Sequence, residues 1–98
     1  MPIVPYLLMP KQERMYIQSL QPEATNSISY LNIVADKIEK LTIKVLDVQG
    51  WVAKKVIAEV EEGKQQLDLN LNDLSSGIYI LNAFIGDVFI KSIRFVKQ

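Results

Sequence analysis

A few groups of polar side chains in this sequence have the residue types from which chemistry is made. Asp68-x-Asn70-x-Asn72-Asp73 puts oxygen-bearing side chains at the alternate spacing of a calcium loop. That loop also needs a glycine at its sixth position and a bidentate glutamate at its twelfth, where this chain has Asp73 and Tyr79. Leu67, Leu69 and Leu71 alternate with the polar residues, so the pattern reads as the wet face of a half-buried strand. Ser75 and Ser76 precede Gly77, but no histidine or lysine pair stands near to activate a hydroxyl, and they read as turn residues. Asp36, Asp47 and Asp87 also fall beside turn signals, where aspartate serves the backbone, and Glu61-Glu62 reads as a hairpin tip.

The chain has no histidine and no cysteine. This removes the commonest general base, the commonest transition-metal ligand, thiolate nucleophiles and disulfides. The expectation is a protein that is not an enzyme, with no catalytic residues, no metal site and no cofactor. Eleven basic residues balance eleven acidic ones without a basic cluster, so no nucleic-acid partner is expected. No apolar run approaches the roughly 20 residues a bilayer needs, so no membrane insertion is expected either. Trp51, the single tryptophan, follows a turn glycine. It is read as capping the edge of the core, with an exposed platform for a sugar or a partner as the other possibility.

These side chains must be positioned by strands, because the hydrophobic period is two. Leu41, Ile43 and Val45 alternate with Thr42 and Lys44, as the leucines of 67–71 do with their polar neighbours. Glycines at Gly50, Gly63, Gly77 and Gly86 punctuate the runs, and Gly86-Asp87 fits a tight hairpin. About seven strands follow, near 14–20, 28–35, 40–47, 51–60, 64–71, 77–84 and 88–97. Leu74-x-x-Gly77-x-Tyr79 has the spacing of a tyrosine corner. The predicted fold is all-β, an immunoglobulin-like β-sandwich of about seven antiparallel strands over residues 14–98. Residues 1–13 read as a linker or strand-like arm, and Met1–Pro10 lacks the basic start and cleavage site of a signal peptide.

Three segments then converge on one family. Val45-Leu46-Asp47-Val48-Gln49-Gly50, Leu74-Ser75-Ser76-Gly77-Ile78-Tyr79 and Phe95-Val96-Lys97-Gln98 resemble, in order and spacing, the segments of type IX secretion system C-terminal sorting domains of Bacteroidetes. The likeness covers roughly residues 26–98. The family's opening "Tyr-Pro-Asn-Pro" turn is replaced by Leu20-Gln21-Pro22-Glu23-Ala24-Thr25-Asn26-Ser27. The resemblance implies an address label, recognised in the periplasm by the outer-membrane translocon and then handled by a sortase at the surface. The partners it implies are those translocon and sortase proteins. The place it implies is the periplasm in transit and then the outer surface or the medium, or the cytoplasm for a stand-alone chain that starts at Met1. It also implies that recognition falls on Lys91, Arg94, Phe95, Val96 and Lys97, while Gly50, Leu74, Gly77 and Tyr79 shape the fold. Charges on a terminal strand also guard a sheet edge, and that same solvated edge suits strand addition by a partner or an edge-to-edge homodimer. The alternative function is an immunoglobulin-like adhesive module of a cell-surface protein, binding carbohydrate or protein, with Trp51 as its platform.

Overall fold

Strands that alternate apolar and polar residues can bury only one face each, so two sheets must stack on those faces. The computed structural model of the chain, which describes residues 15–98, has this arrangement. Its strands are β1 (Met15–Gln21), β2 (Ala24–Thr25), β3 (Ile28–Ala35), β4 (Glu39–Leu46), β5 (Val52–Val60), β6 (Gly63–Asn70), β7 (Gly77–Ile85) and β8 (Val88–Lys97). One sheet has the order β1-β3-β6 and the other β2-β8-β7-β4-β5. The fold is an immunoglobulin-like sandwich, and no described helix is long and apolar enough to cross a membrane. The expected arm over residues 1–13 lies outside the described residues.

Two features depart from the expected seven antiparallel strands. The additional strand, β2, is two residues long and runs parallel to the end of β8, pairing Ala24 with Val96 and Thr25 with Lys97. Two residues carry no periodicity, so no pattern could announce them. The Glu61-Glu62 segment is not a hairpin tip either. β5 pairs with β4 and β6 with β3, so the chain changes sheet at this turn. The side chain of Gln65 holds it, accepting the Glu61 N–H at 2.9 Å and donating to the Glu61 carbonyl at 2.6 Å.

Side chains from both inner faces fill the core. Leu31 and Ile33 come from β3, Leu41 and Ile43 from β4, Leu81 from β7 and Phe95 from β8. Bulges keep the apolar positions pointing inward where the sequence slips register. The irregularity between Ile17 and Ser19 keeps both Ile17 and Leu20 inside despite their three-residue spacing. The one near Ala83 and Phe84 leaves Ile90 without a ladder partner on β7, and Ile90 packs against the core. Gly86 takes φ 58° in the two-residue turn between Ile85 and Val88, the left-handed position that a type II′ hairpin reserves for glycine.

Leu81 is fully enclosed at the centre of the larger sheet. Leu81→Ala is expected to lower unfolding free energy by about 3 kcal/mol through lost burial and the cavity left behind. Urea denaturation of the two proteins measures this directly.

Candidate functional site

The segment between β6 and β7, residues 71–76, carries the chain from one sheet to the other, and the end of β8 lies against it. Its backbone is held from several sides. The Leu71 N–H donates to the Ser27 carbonyl at 2.8 Å, and the Leu74 N–H donates to the Leu71 carbonyl at 3.1 Å. Leu74 itself is buried in the core. The Tyr79 hydroxyl donates to the Ser75 carbonyl at 2.6 Å, the fold-back expected from the Leu-x-x-Gly-x-Tyr spacing. Ser75 therefore contributes a backbone acceptor here. Gly77 leads into Tyr79, and a β-carbon there would lie 3.9 Å from the Tyr79 ring.

β8 supplies the other clamp. The Phe95 ring stacks on Tyr79 with centroids 5.5 Å apart. Two residues on, Lys97 turns inward and its ammonium donates to the Leu74 carbonyl at 2.8 Å. The whole residue is only 8% exposed. An ammonium at such a depth is costly unless it is hydrogen-bonded, and the carbonyl of this loop meets that requirement. On the far side of the strand the backbone is tied as well. The Val96 N–H donates to the Glu23 carbonyl at 2.7 Å and the Gln98 N–H to the Thr25 carbonyl at 2.8 Å. The buried Thr25 hydroxyl donates to the Ile28 carbonyl, and the Ser29 hydroxyl to the Pro22 carbonyl. These bonds fix the approach of β2 to β8.

The five residues expected to form a recognition strip therefore divide in two. Arg94 is exposed on the outer face, Val96 is half-buried beside it, and Lys91 is half-buried. Phe95 and Lys97 point into the molecule, so the expectation of a fully solvated terminal edge does not hold for Lys97. Three residues apart on a strand of period two, Arg94 and Lys97 lie on opposite faces. The edge of β8 is partly covered, because β2 pairs only with Val96 and Lys97. Among the described residues no strand pairs with Val88–Arg94 on the side away from β7.

Trp51 corrects the sequence reading: it is 70% exposed rather than packed on the core. The turn it ends is closed without its ring. The Asp47 carboxylate accepts the Gln49 N–H at 2.9 Å and the Trp51 N–H at 3.0 Å, and the Asp47 N–H donates to the Trp51 carbonyl at 2.9 Å. Gly50 occupies φ 89° inside this turn, a left-handed conformation suited to glycine. Two side chains of the calcium-like stretch have other employment. The Asn70 side chain accepts the Asn72 N–H, and Asp73 accepts the Lys54 ammonium at 2.9 Å. Among the described residues no group of three or more carboxylate, histidine or cysteine side chains could hold a metal. Sequence reasoning missed β2 and the contacts Lys97–Leu74 and Lys54–Asp73. These join residues 23 and 19 positions apart, and no local pattern signals them.

Comparison with known proteins agrees with this architecture. The family described as "Secretion system C-terminal sorting domain" matches residues 10–96. No curated protein matches the chain. Among solved structures, the chain is similar to part of the crystal structure of a β-glucosidase from Kluyveromyces marxianus, with 12% identity and a TM-score of 0.57. The match covers 87% of this chain and 14% of the β-glucosidase, and it shows a shared sandwich fold.

Tyr79→Phe keeps the stack on Phe95 but leaves the Ser75 carbonyl without its donor, and is expected to cost about 1–2 kcal/mol in urea denaturation. Asp73 titrates below its usual value of 3.8, first because the Lys54 ammonium hydrogen-bonds it. A depressed carboxylate stabilises the fold above its unfolded-state value, and the effect fades as pH falls through the folded-state value. The stability gap between the native chain and Asp73→Asn should thus be small but measurable at neutral pH and close as pH drops below 3.8. Paired denaturation curves at the two pH values check it.

Proposed function

The chain belongs to the family of type IX secretion system C-terminal sorting domains, and we propose that the export machinery reads it as a folded surface centred on the outer side of β8. Membership makes the domain a sorting signal for type IX secretion, acting with proteins of the secretion machinery on a protein bound for the cell surface or the medium. The family is generally non-catalytic. The finer reading concerns which residues the machinery meets. The observation that carries it is the division of β8, with Arg94 outside and Phe95 and Lys97 inside.

On this reading Arg94 and Val96 present the contact, and the stretch Val88–Arg94, which no described strand pairs with on that side, offers backbone groups for strand addition by a translocon protein. A second copy could use the same edge to form a homodimer. Lys91, half-buried, borders that edge. Phe95 and Lys97 act indirectly, by holding the strand in its outward register against Tyr79 and Leu74. A second reading, an adhesive module that takes carbohydrate or protein through Trp51, draws on the exposure of that ring alone.

The test is to fuse this chain behind a signal peptide and a fluorescent reporter in a bacterium possessing the secretion system. Reporter is expected in the medium, with removal of Phe95–Gln98 trapping it in the periplasm. Arg94→Glu leaves the core untouched and should cut export by about tenfold, equivalent to roughly 1.4 kcal/mol of recognition. Normal export of a folded Arg94→Glu protein would refute the assignment of the contact to this face. Reporter trapped in the periplasm with the native, folded domain attached would refute the sorting role itself.

A further inference from the structure

The outer face of the larger sheet carries an arrangement that the sorting role does not use. Lys44 on β4 and Lys55 on β5 are direct cross-strand partners. Like charges directly opposite one another in a ladder destabilise it. Among the described residues, ion pairs join Lys37 to Glu39 and Lys54 to Asp73, and neither Lys44 nor Lys55 has such a partner. The next strand offers no carboxylate either, because Lys44 faces Asn82 on β7 and Asn82 faces Ser92 on β8.

The two lysines also line a recess of about 270 Å³, together with Thr42, Phe84, Gly86 and Asp87. That volume exceeds several times the ≈30 Å³ share of one water in the liquid. The Lys44 ammonium sits 5.3 Å from the centre of the Phe84 ring, which steadies its position over the recess. Thr42 adds a hydroxyl. Asp87, in the β7–β8 turn, is the single acid among the described residues that line the recess, and it forms no ion pair with either lysine.

We propose that this recess binds a phosphate group, held between the Lys44 and Lys55 ammonium groups with the Thr42 hydroxyl as an additional hydrogen-bonding partner. Two adjacent unit positive charges match a phosphomonoester, which carries about −1.5 to −2 at neutral pH, better than a single carboxylate. Binding converts a repulsive pair into two charge-assisted hydrogen bonds. Solvated surface lysines need no ligand, but these two share one recess and one register, and neither pairs with a carboxylate among the described residues. The inference is separate from the sorting reading and is tested on the purified chain.

Inorganic phosphate would be titrated into the isotopically labelled 98-residue chain at constant ionic strength, with amide shifts followed by NMR. A second arm uses phosphatidylcholine vesicles with and without phosphatidic acid, whose headgroup is a phosphomonoester. Saturable shifts confined to Thr42, Lys44, Lys55 and Gly86 are expected, weakened about tenfold in Lys55→Gln and in Lys44→Gln, as loss of one charge-assisted bond implies. Lys64→Gln, on the opposite sheet, should leave them unchanged. Lys55 is exposed, so its variant retains the fold. Saturation by inorganic phosphate assigns a soluble phosphate. Lys55-dependent binding to phosphatidic acid vesicles alone assigns a membrane headgroup. Weak, non-saturating shifts across the chain together with no vesicle binding, or binding that all three variants reduce equally, would overturn the proposal.

Discussion

The ammonium of Lys97, buried at the end of the last strand and satisfied by the carbonyl of Leu74, is the interaction on which the architecture of this domain turns. A charge at that depth tolerates few geometries. It requires the 71–76 segment to sit where its carbonyl can accept, and it requires β8 to arrive with Lys97 facing inward. The Tyr79 hydroxyl imposes a matching demand on the adjacent Ser75 carbonyl, and the Tyr79–Phe95 stack joins the two clamps. The loop connecting the two sheets and the end of the final strand are therefore specified together.

This coupling matters because most connections in the fold change sheet. Only β4–β5 and β7–β8 are hairpins, and the other five links carry the chain from one layer to the other. Hairpins hold their own register through their turns, whereas crossovers need contacts from elsewhere. Thr25, Ser29, Gln65, Tyr79 and Lys97 each bond the backbone of such a link or of a strand beside it. Their polar groups work inside or at the rim of the sandwich, which leaves the outer face of β8 free to present Arg94. One strand is thus divided into an inward side that anchors it, through Phe95 and Lys97, and an outward side that carries the exposed Arg94.

Much of this was legible in the residues. Period-two alternation in 41–45 and 67–71 and glycines at the turns placed seven strands to within one residue at each end, and the tyrosine corner followed from Leu74, Gly77 and Tyr79. Local pattern could not say which strands pair. Glu61-Glu62 looked like a hairpin because an acidic tip before glycine suits one, yet β5 and β6 belong to different sheets. Large rings usually pack on a core, but Asp47 closes the turn at Trp51 without its ring, which stays exposed. Lysines on terminal strands are usually solvated, and nothing near Lys97 announces its acceptor, which lies 23 residues away. The Glu61-Glu62 and Lys97 misses concern contacts between residues distant in sequence, where propensity and periodicity carry no information.

Hydrogen bonds lock the end of β8 into the fold, which separates two ways a partner would meet it, as a folded surface or as a loose tail. Amide hydrogen exchange at Val96 and Gln98, whose N–H groups donate to Glu23 and Thr25, tests it most directly. Both amides are expected to exchange as slowly as that of Leu81 at the centre of β7, through global unfolding alone. Rapid exchange at Val96 and Gln98 while Leu81 stays protected would contradict it, and would make the last residues a flexible segment read by sequence.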